Sequence, residues 1–270
     1  MDAPVERPWW PVGEQFLDAL RHWLDKNFQP DITVREWWRR LAEAGLTAPT
    51  WPRQHGGLGV TTRVQELIEQ ELAAAGTLAP PVDNDGFRAI APALRQFLPD
   101  DTRRGWLEPL LRGEHSWDLL VAEPRRTLDD IRCRADWEFD TLTITGAKVR
   151  GTPTTHALVM TRTDPASTGR AGLTCVIVDL AEPGVVTEDG VVRFERHSVR
   201  RDRMVGDDRR GWDVAAAVIP YLERSLAGRI RRGLIHVPPG EYVAALDLTV
   251  AEAVATYHQA PPPGEDRRRR

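Results

Sequence analysis

Cysteine, lysine and long apolar runs are all scarce in this chain, and each shortage narrows what it can be. Two cysteines, Cys133 and Cys175, cannot make a disulfide framework and are not spaced as a zinc knuckle; both fall in strand-like segments and are expected as buried thiols. No apolar run approaches the ~18 residues of a membrane span, and no charged-then-apolar leader opens the sequence. The expectation is therefore neither span nor signal peptide, with the cytoplasm as the default compartment. Only Lys26 and Lys148 are lysines, and 40 acidic against 36 basic residues leave a net charge of −4, which argues against a nucleic-acid partner. His55, His115, His156 and His197 are scattered, with no second ligand at i+4, so no metal site is expected. The Gly-x-Ser-x-Gly nucleophile elbow is also missing.

What is present changes character near residue 114. Before it the pattern is helical: Phe16, Leu17, Leu20, Trp23 and Leu24 recur at helix spacing, and Thr33 and Gly45 bracket a second helix as N-cap and stop. A third helix is expected from about Thr62 to Gly76, and a fourth from about Asp101 to Gly113. After it the period falls from about 3.6 to 2. Ile131, Cys133, Ala135, Trp137 and Phe139 alternate with charged residues, as a sheet with one wet face requires. Further strands follow to about Val205, predicting an antiparallel barrel or sandwich. Helix returns at residues 211–233, with Trp212, Ala215, Ile219, Leu222, Leu226 and Ile230 as its stripe and a kink expected at Pro220. The fold class is thus α+β: a helical domain over 1–114, a β domain over 115–206, a shortened helical segment over 207–258 and a disordered tail over 259–270.

The glycine-rich run Trp-Pro-Arg-Gln-His-Gly-Gly-Leu-Gly at residues 51–59 lacks the Lys-Ser/Thr of a phosphate loop, and no strand precedes it. It is read as an interhelical turn. Its order with Glu123-Pro124, with Gly146 and Lys148, and with Gly211-Trp212 resembles the acyl-CoA dehydrogenase family over essentially residues 9–233. That resemblance implies FAD as cofactor and an acyl-CoA thioester as substrate. A carboxylate would take the α-proton while the β-hydride passes to flavin, so base and flavin must flank the acyl chain.

By position the resemblance places Leu119, Val121 and Ala122 against the flavin, with Thr152 as a second contact. Ala122 lacks the hydroxyl usual there. Arg125, Arg126, Thr127 and Leu128 replace a Gly-x-Gly-Ser stretch, and Arg150 replaces a stacking tryptophan. Close backbone approach is obstructed, which argues for a lost ligand; the competing reading is that Arg125 and Arg126 grip substrate phosphates. Glu223, directly before Arg224, is the candidate base, with Arg224 beside it on the substrate side; a surface Glu-Arg pair is the bland alternative. Three functions follow: a degenerate subunit working with a second, catalytic acyl-CoA dehydrogenase chain; an active divergent enzyme using Glu223; or a flavin-free acyl-thioester binding module. The first is favoured.

Overall fold

A computed structural model describes residues 10–11, 13, 15–82, 84–127, 130–151, 153–224, 235–238 and 241–257, the side chains of 221–224 excepted. Contacts divide the chain into two compact units, one built from Met1–Asn84, Leu107–Glu114 and Leu226–Arg270, the other from Asp85–Trp106 and His115–Ser225.

In the first unit, α1 (Gln15–Asn27), α2 (Val34–Glu43) and α3 (Thr62–Ala74) follow the apolar spacing of the sequence. Thr33 caps α2 as expected, its hydroxyl accepting from the Glu36 N–H at 3.2 Å. Residues 51–59 form the turn between α2 and α3, with a short 3-10 stretch at Arg53–His55. Trp37 and Trp38 are fully buried, and their indole N–H groups donate to the Leu78 and Ala79 carbonyls at 3.0 and 2.9 Å. Large rings can therefore fill this core without orphaning a polar atom. Residues 235–257 return to the same core. Val34 N–H donates to Leu248 O and Val250 N–H to Ile32 O, both at 2.8 Å, and Tyr242 meets Trp38 edge-on at 5.2 Å. Here the short helices α7 (Tyr242–Ala245) and α8 (Val250–Tyr257) complete the helical unit, whereas the sequence reading grouped 207–258 as one C-terminal segment. The expected tail, 259–270, lies outside the described residues.

The second unit begins with an element that periodicity did not reveal: a wide π turn, Gly86–Ile90, running into α4 (Ala91–Phe97). Of α5 (Asp100–Leu111), which continues through Pro109, residues 100–106 belong to this unit and 107–111 to the first. The sheet comprises β1 (Trp117–Leu120), β2 (Arg134–Glu138), β3 (Thr141–Val149), β4 (His156–Arg162), β5 (Leu173–Asp179), β6 (Val185–Glu188), β7 (Val191–Arg200) and β8 (Met204–Val205). Their order is β6-β7-β3-β2-β4-β5-β8 with β1 also on β4, so the sheet is open and sandwich-like rather than a closed barrel. It is also mixed: β1 and β2 both run parallel to β4.

That parallel pairing positions the site. Leu120 pairs with Val159, and Arg134 with Arg162. Two residues of β4 thus face thirteen on the other side, so the chain between Leu120 and Arg134 must leave the sheet and return. Alternation in β2 holds for Cys133 and Ala135 but ends before Phe139, which is fully exposed with φ 55° in the β2–β3 turn. The chain reverses there, so the next position in the alternation no longer faces the core. On α6 (Gly211–Arg224) the buried residues are Val214, Ala215 and Val218, while Trp212 and Ile219 are half-buried. Over residues 211–220 the buried face is set by packing on β5 and α4, and the side chains of Leu222, Leu226 and Ile230, the rest of the expected stripe, lie outside the described residues. The helix runs on past Pro220 to Arg224.

Candidate functional site

The loop between β1 and β2 is closed at its neck by one side chain. Glu123, 7 % exposed, accepts from the backbone N–H groups of Arg132 at 2.9 Å and Cys133 at 2.7 Å. Lys148, with no exposed surface, donates to the same carboxylate at 2.9 Å and to the Val121 carbonyl at 3.0 Å. One lysine therefore ties β3 to both the entry and the carboxylate lock of the loop. Gly146, two residues earlier, crosses Cys133 so closely that a Cβ would come within 2.7 Å of the Cys133 Cα. The Glu-Pro and Gly-x-Lys motifs meet here as one brace. Around it Cys133 is buried and its thiol is pushed up to about 12 by burial, so it is inert at neutral pH. Cys175 is likewise buried and pushed up to about 12.

Beyond the neck the backbone keeps a shape that favours glycine. Arg125 has φ 58°, in the left-handed region, and its side chain is exposed. A non-glycine residue held there costs on the order of 1–3 kcal/mol. Arg126 turns back on its own loop, pairing with Asp130 at 2.6 Å, and Asp130 also meets Arg132 at 2.9 Å. These two guanidinium groups hold the Asp130 carboxyl below its ordinary range. The reading of Arg126 as a phosphate grip is thus weakened by an internal partner.

Of the other expected residues, Leu119 is half-buried, Val121 buried and Ala122 exposed, with the Ala122 carbonyl accepting from Val149 N–H at 2.9 Å. Asp118, absent from the sequence expectation, accepts from Leu119 N–H at 2.8 Å and Gly151 N–H at 2.9 Å, and Arg150 N–H donates to Gly190 O at 2.8 Å. Thr152 lies outside the described residues. Glu223 and Arg224 sit in the last turn of α6, their side chains likewise outside. Ala216 and Pro220, which share a face with Glu223 at helical spacing, are exposed.

Flavin can be tested against these residues. A planar ring with polar edges needs free backbone donors, a hydroxyl and room. Here the Leu119, Val149, Arg150 and Gly151 N–H groups are already committed, a methyl stands at Ala122, and arginine at 125 takes up the turn position open to close approach. At Leu119, Ala122, Arg125 and Gly151 the described residues do not offer what the ring needs.

A second cluster escaped the sequence because its members are far apart in the chain. The rings of His115 and His156 stack at 3.8 Å, with Trp117 and Trp106 5.2 and 6.0 Å from His156. Burial, then the neighbouring His115, pushes His156 down to about 4, and burial also lowers His115. Burial and stacking disfavour charge on either imidazole, so the pair packs as neutral rings. Among the described residues no group of three or more His, Cys, Asp or Glu could hold a metal, and no helix is long and apolar enough to cross a membrane. Gly211 and Trp212 are structural as well. A Cβ on Gly211 would meet Cys175 N at 2.6 Å, and Trp212 carries the Arg170 guanidinium 4.4 Å above its ring.

Comparison with known proteins agrees with this architecture. Residues 13–114 match the family profile "Acyl-CoA dehydrogenase, N-terminal domain". Over 242 residues the chain is 28 % identical to the acyl-CoA dehydrogenase IpdE1 of Mycobacterium tuberculosis, covering 77 % of this chain and 62 % of that one. The solved ChsE4-ChsE5 complex from Mycobacterium tuberculosis superposes with a TM-score of 0.55 at 20 % identity, over 84 % of this chain and 64 % of that one. The Tcur3481-Tcur3483 steroid ACAD does so with 0.56 at 21 %, over 78 % and 61 %. The chain therefore spans less than two thirds of each of these relatives.

Proposed function

The chain belongs to the acyl-CoA dehydrogenase family, and from that premise we propose that it serves as the companion subunit of a two-chain acyl-CoA dehydrogenase. The observation that carries this reading is the loop after β1. Its Glu123–Lys148 brace and left-handed turn persist, while the donors and small residues a flavin ring would use have been spent or replaced. An intact loop frame with altered ring contacts fits a subunit whose fold is needed and whose chemistry is done elsewhere. Relatives assembled from two chains, such as ChsE4-ChsE5, support a second dehydrogenase as the partner. Dehydrogenation of the acyl-CoA thioester then belongs to the partner's FAD site, and no step is assigned to a flavin on this chain.

Co-expression tests the proposal. With a catalytic acyl-CoA dehydrogenase encoded nearby, the two chains should co-purify as one yellow species whose colour disappears when only the partner's flavin contacts are mutated. Persistent colour would overturn it. The second reading, an active divergent enzyme with Glu223 as base, is favoured by the uncovered Ala216 and Pro220 face of α6, which leaves room for an acyl chain. Glu223→Gln in the complex separates the two. Activity within about twofold of wild type supports a companion role, and a loss of about a hundredfold or more supports a base.

A further inference from the structure

The stacked histidines stand at the entry to the strand that leads into the braced loop. β1 is only four residues long and runs straight into Val121 and Glu123, so whatever holds its start also holds the approach to the brace. Ser116, the residue before it, is tied to β4 by a local knot. Its carbonyl accepts from the Thr155 and His156 N–H groups at 3.1 and 2.9 Å, and its own N–H donates to Thr155 Oγ1 at 3.0 Å. Thr155 N–H also reaches Ser116 Oγ at 3.0 Å. His115 precedes one half of the knot and His156 follows the other, and their rings stack 3.8 Å apart, 27° from parallel, where the two segments meet.

Hydrogen bonding fixes how the rings are protonated. Thr155 Oγ1 accepts from Ser116 N–H and donates to Ser116 O at 3.1 Å, so its 2.9 Å contact with His156 Nδ1 is made by a proton on the imidazole. The basic atom of His156 is then Nε2. His115 Nδ1 and Trp117 Nε1 are buried with no hydrogen-bond partner among the described residues. An imidazolium at 115 would therefore carry an Nδ1–H with no acceptor, and a charge on either ring would face the other at stacking distance. Asp179, at the end of β5, favours the proton on both rings. His115 and Arg203 oppose it at His156; Arg203 comes from the turn after β7 and is held by Glu182 at 2.8 Å. Trp106, from α5, brings no charge. Burial outweighs Asp179, and both rings lie below their ordinary 6.5. A chain opened at the knot returns the imidazoles to water, where they take protons near 6.5. Opening is thus increasingly favoured as pH falls below that value, and levels off for His156 towards pH 4.

We propose that the His115–His156 stack is an acid-operated latch: protonation unseats the rings, undoes the Ser116–Thr155 knot and frees the start of β1, and with it the approach to the Glu123 neck, while the rest of the sheet stays folded. The latch is independent of the companion-subunit reading. Hydrogen exchange of the purified chain, read by mass spectrometry and corrected for the intrinsic pH dependence of exchange, tests it. Between pH 6.5 and about pH 4.5 the protection of residues 116–120 and 155–158 should fall by about thirtyfold or more, and that of 142–148 and 192–199 by less than about threefold. A His115→Phe/His156→Phe variant keeps a stack that cannot titrate and should hold the knot at both pH values. His156→Gln, which keeps a donor for Thr155 Oγ1 and leaves only His115 to titrate, should cut the fall to less than about tenfold even where two phenylalanines are not accommodated. Loss spread evenly over all strands, a fall below about threefold at 116–120, or an undiminished fall in these variants overturns the latch.

Discussion

Replacing Lys148 by methionine isolates the brace on which the site is built. Met preserves the stem and its packing but strips the Glu123 carboxylate of its cation and the Val121 carbonyl of its donor. Glu123 remains buried with the Arg132 and Cys133 N–H groups and, at 3.9 Å, the Arg126 guanidinium to hold its charge. Removing one partner of a buried pair costs about 3–5 kcal/mol; the two surviving charge-assisted bonds put the expected loss at the lower end, about 3 kcal/mol. Glu123→Gln in the same background removes the stranded charge while keeping an acceptor for Cys133, and should recover about 1–2 kcal/mol. Urea denaturation followed by tryptophan fluorescence measures both, and limited trypsinolysis after Arg125 and Arg126 reports whether the loop neck has opened. A loss below about 1 kcal/mol for Lys148→Met, or a double variant no better than the single, would refute the reasoning.

Arg125→Gly relieves the left-handed backbone at φ 58° without removing a buried contact, so denaturation should show a gain of about 0.5–1 kcal/mol; Arg125→Val at the same place should lose about 1–2. His156 sits near 4 in the fold against an ordinary 6.5, so as pH falls through that window the unfolded chain takes the proton first. Its share of stability is whole above pH 6.5 and drains away towards pH 4 at up to about 1.4 kcal/mol per unit; in His156→Gln that slope should flatten, and an unchanged slope would remove His156 as its source. Cys133 and Cys175 should resist a thiol reagent at neutral pH until the chain unfolds, and prompt native-state labelling of either would contradict their burial.

Much of this architecture was legible because local pattern and tertiary environment agree. Thr33 caps α2 in the structure because a hydroxyl before an amphipathic run has few better uses, and Cys133 and Ala135 face inward because alternation is what a one-sided sheet demands. Long-range geometry was not legible. Nothing near Phe139 signals that the strand ends one residue earlier, and the half-burial of Trp212 and Ile219 on α6 follows from which elements it packs against. Residues 235–257 read as a fragment of a third domain, yet Tyr242, Leu246 and Val250 fill the tryptophan core of the first unit. At the site, the motif residues fall on the loop that Glu123 and Lys148 brace, while their contacts needed coordinates. Glu123 and Lys148 prove to be a lock, Asp118 and the His115–His156 pair had no sequence signature, and Arg126 is bound to Asp130 rather than open to a ligand.

Equilibrium dialysis of the isolated, folded chain against excess FAD, read as bound flavin per protein, tests the central claim most directly. A ratio near zero, rising only when a catalytic dehydrogenase chain is added and then matching that chain alone, is the predicted result. One flavin bound per isolated chain would contradict it.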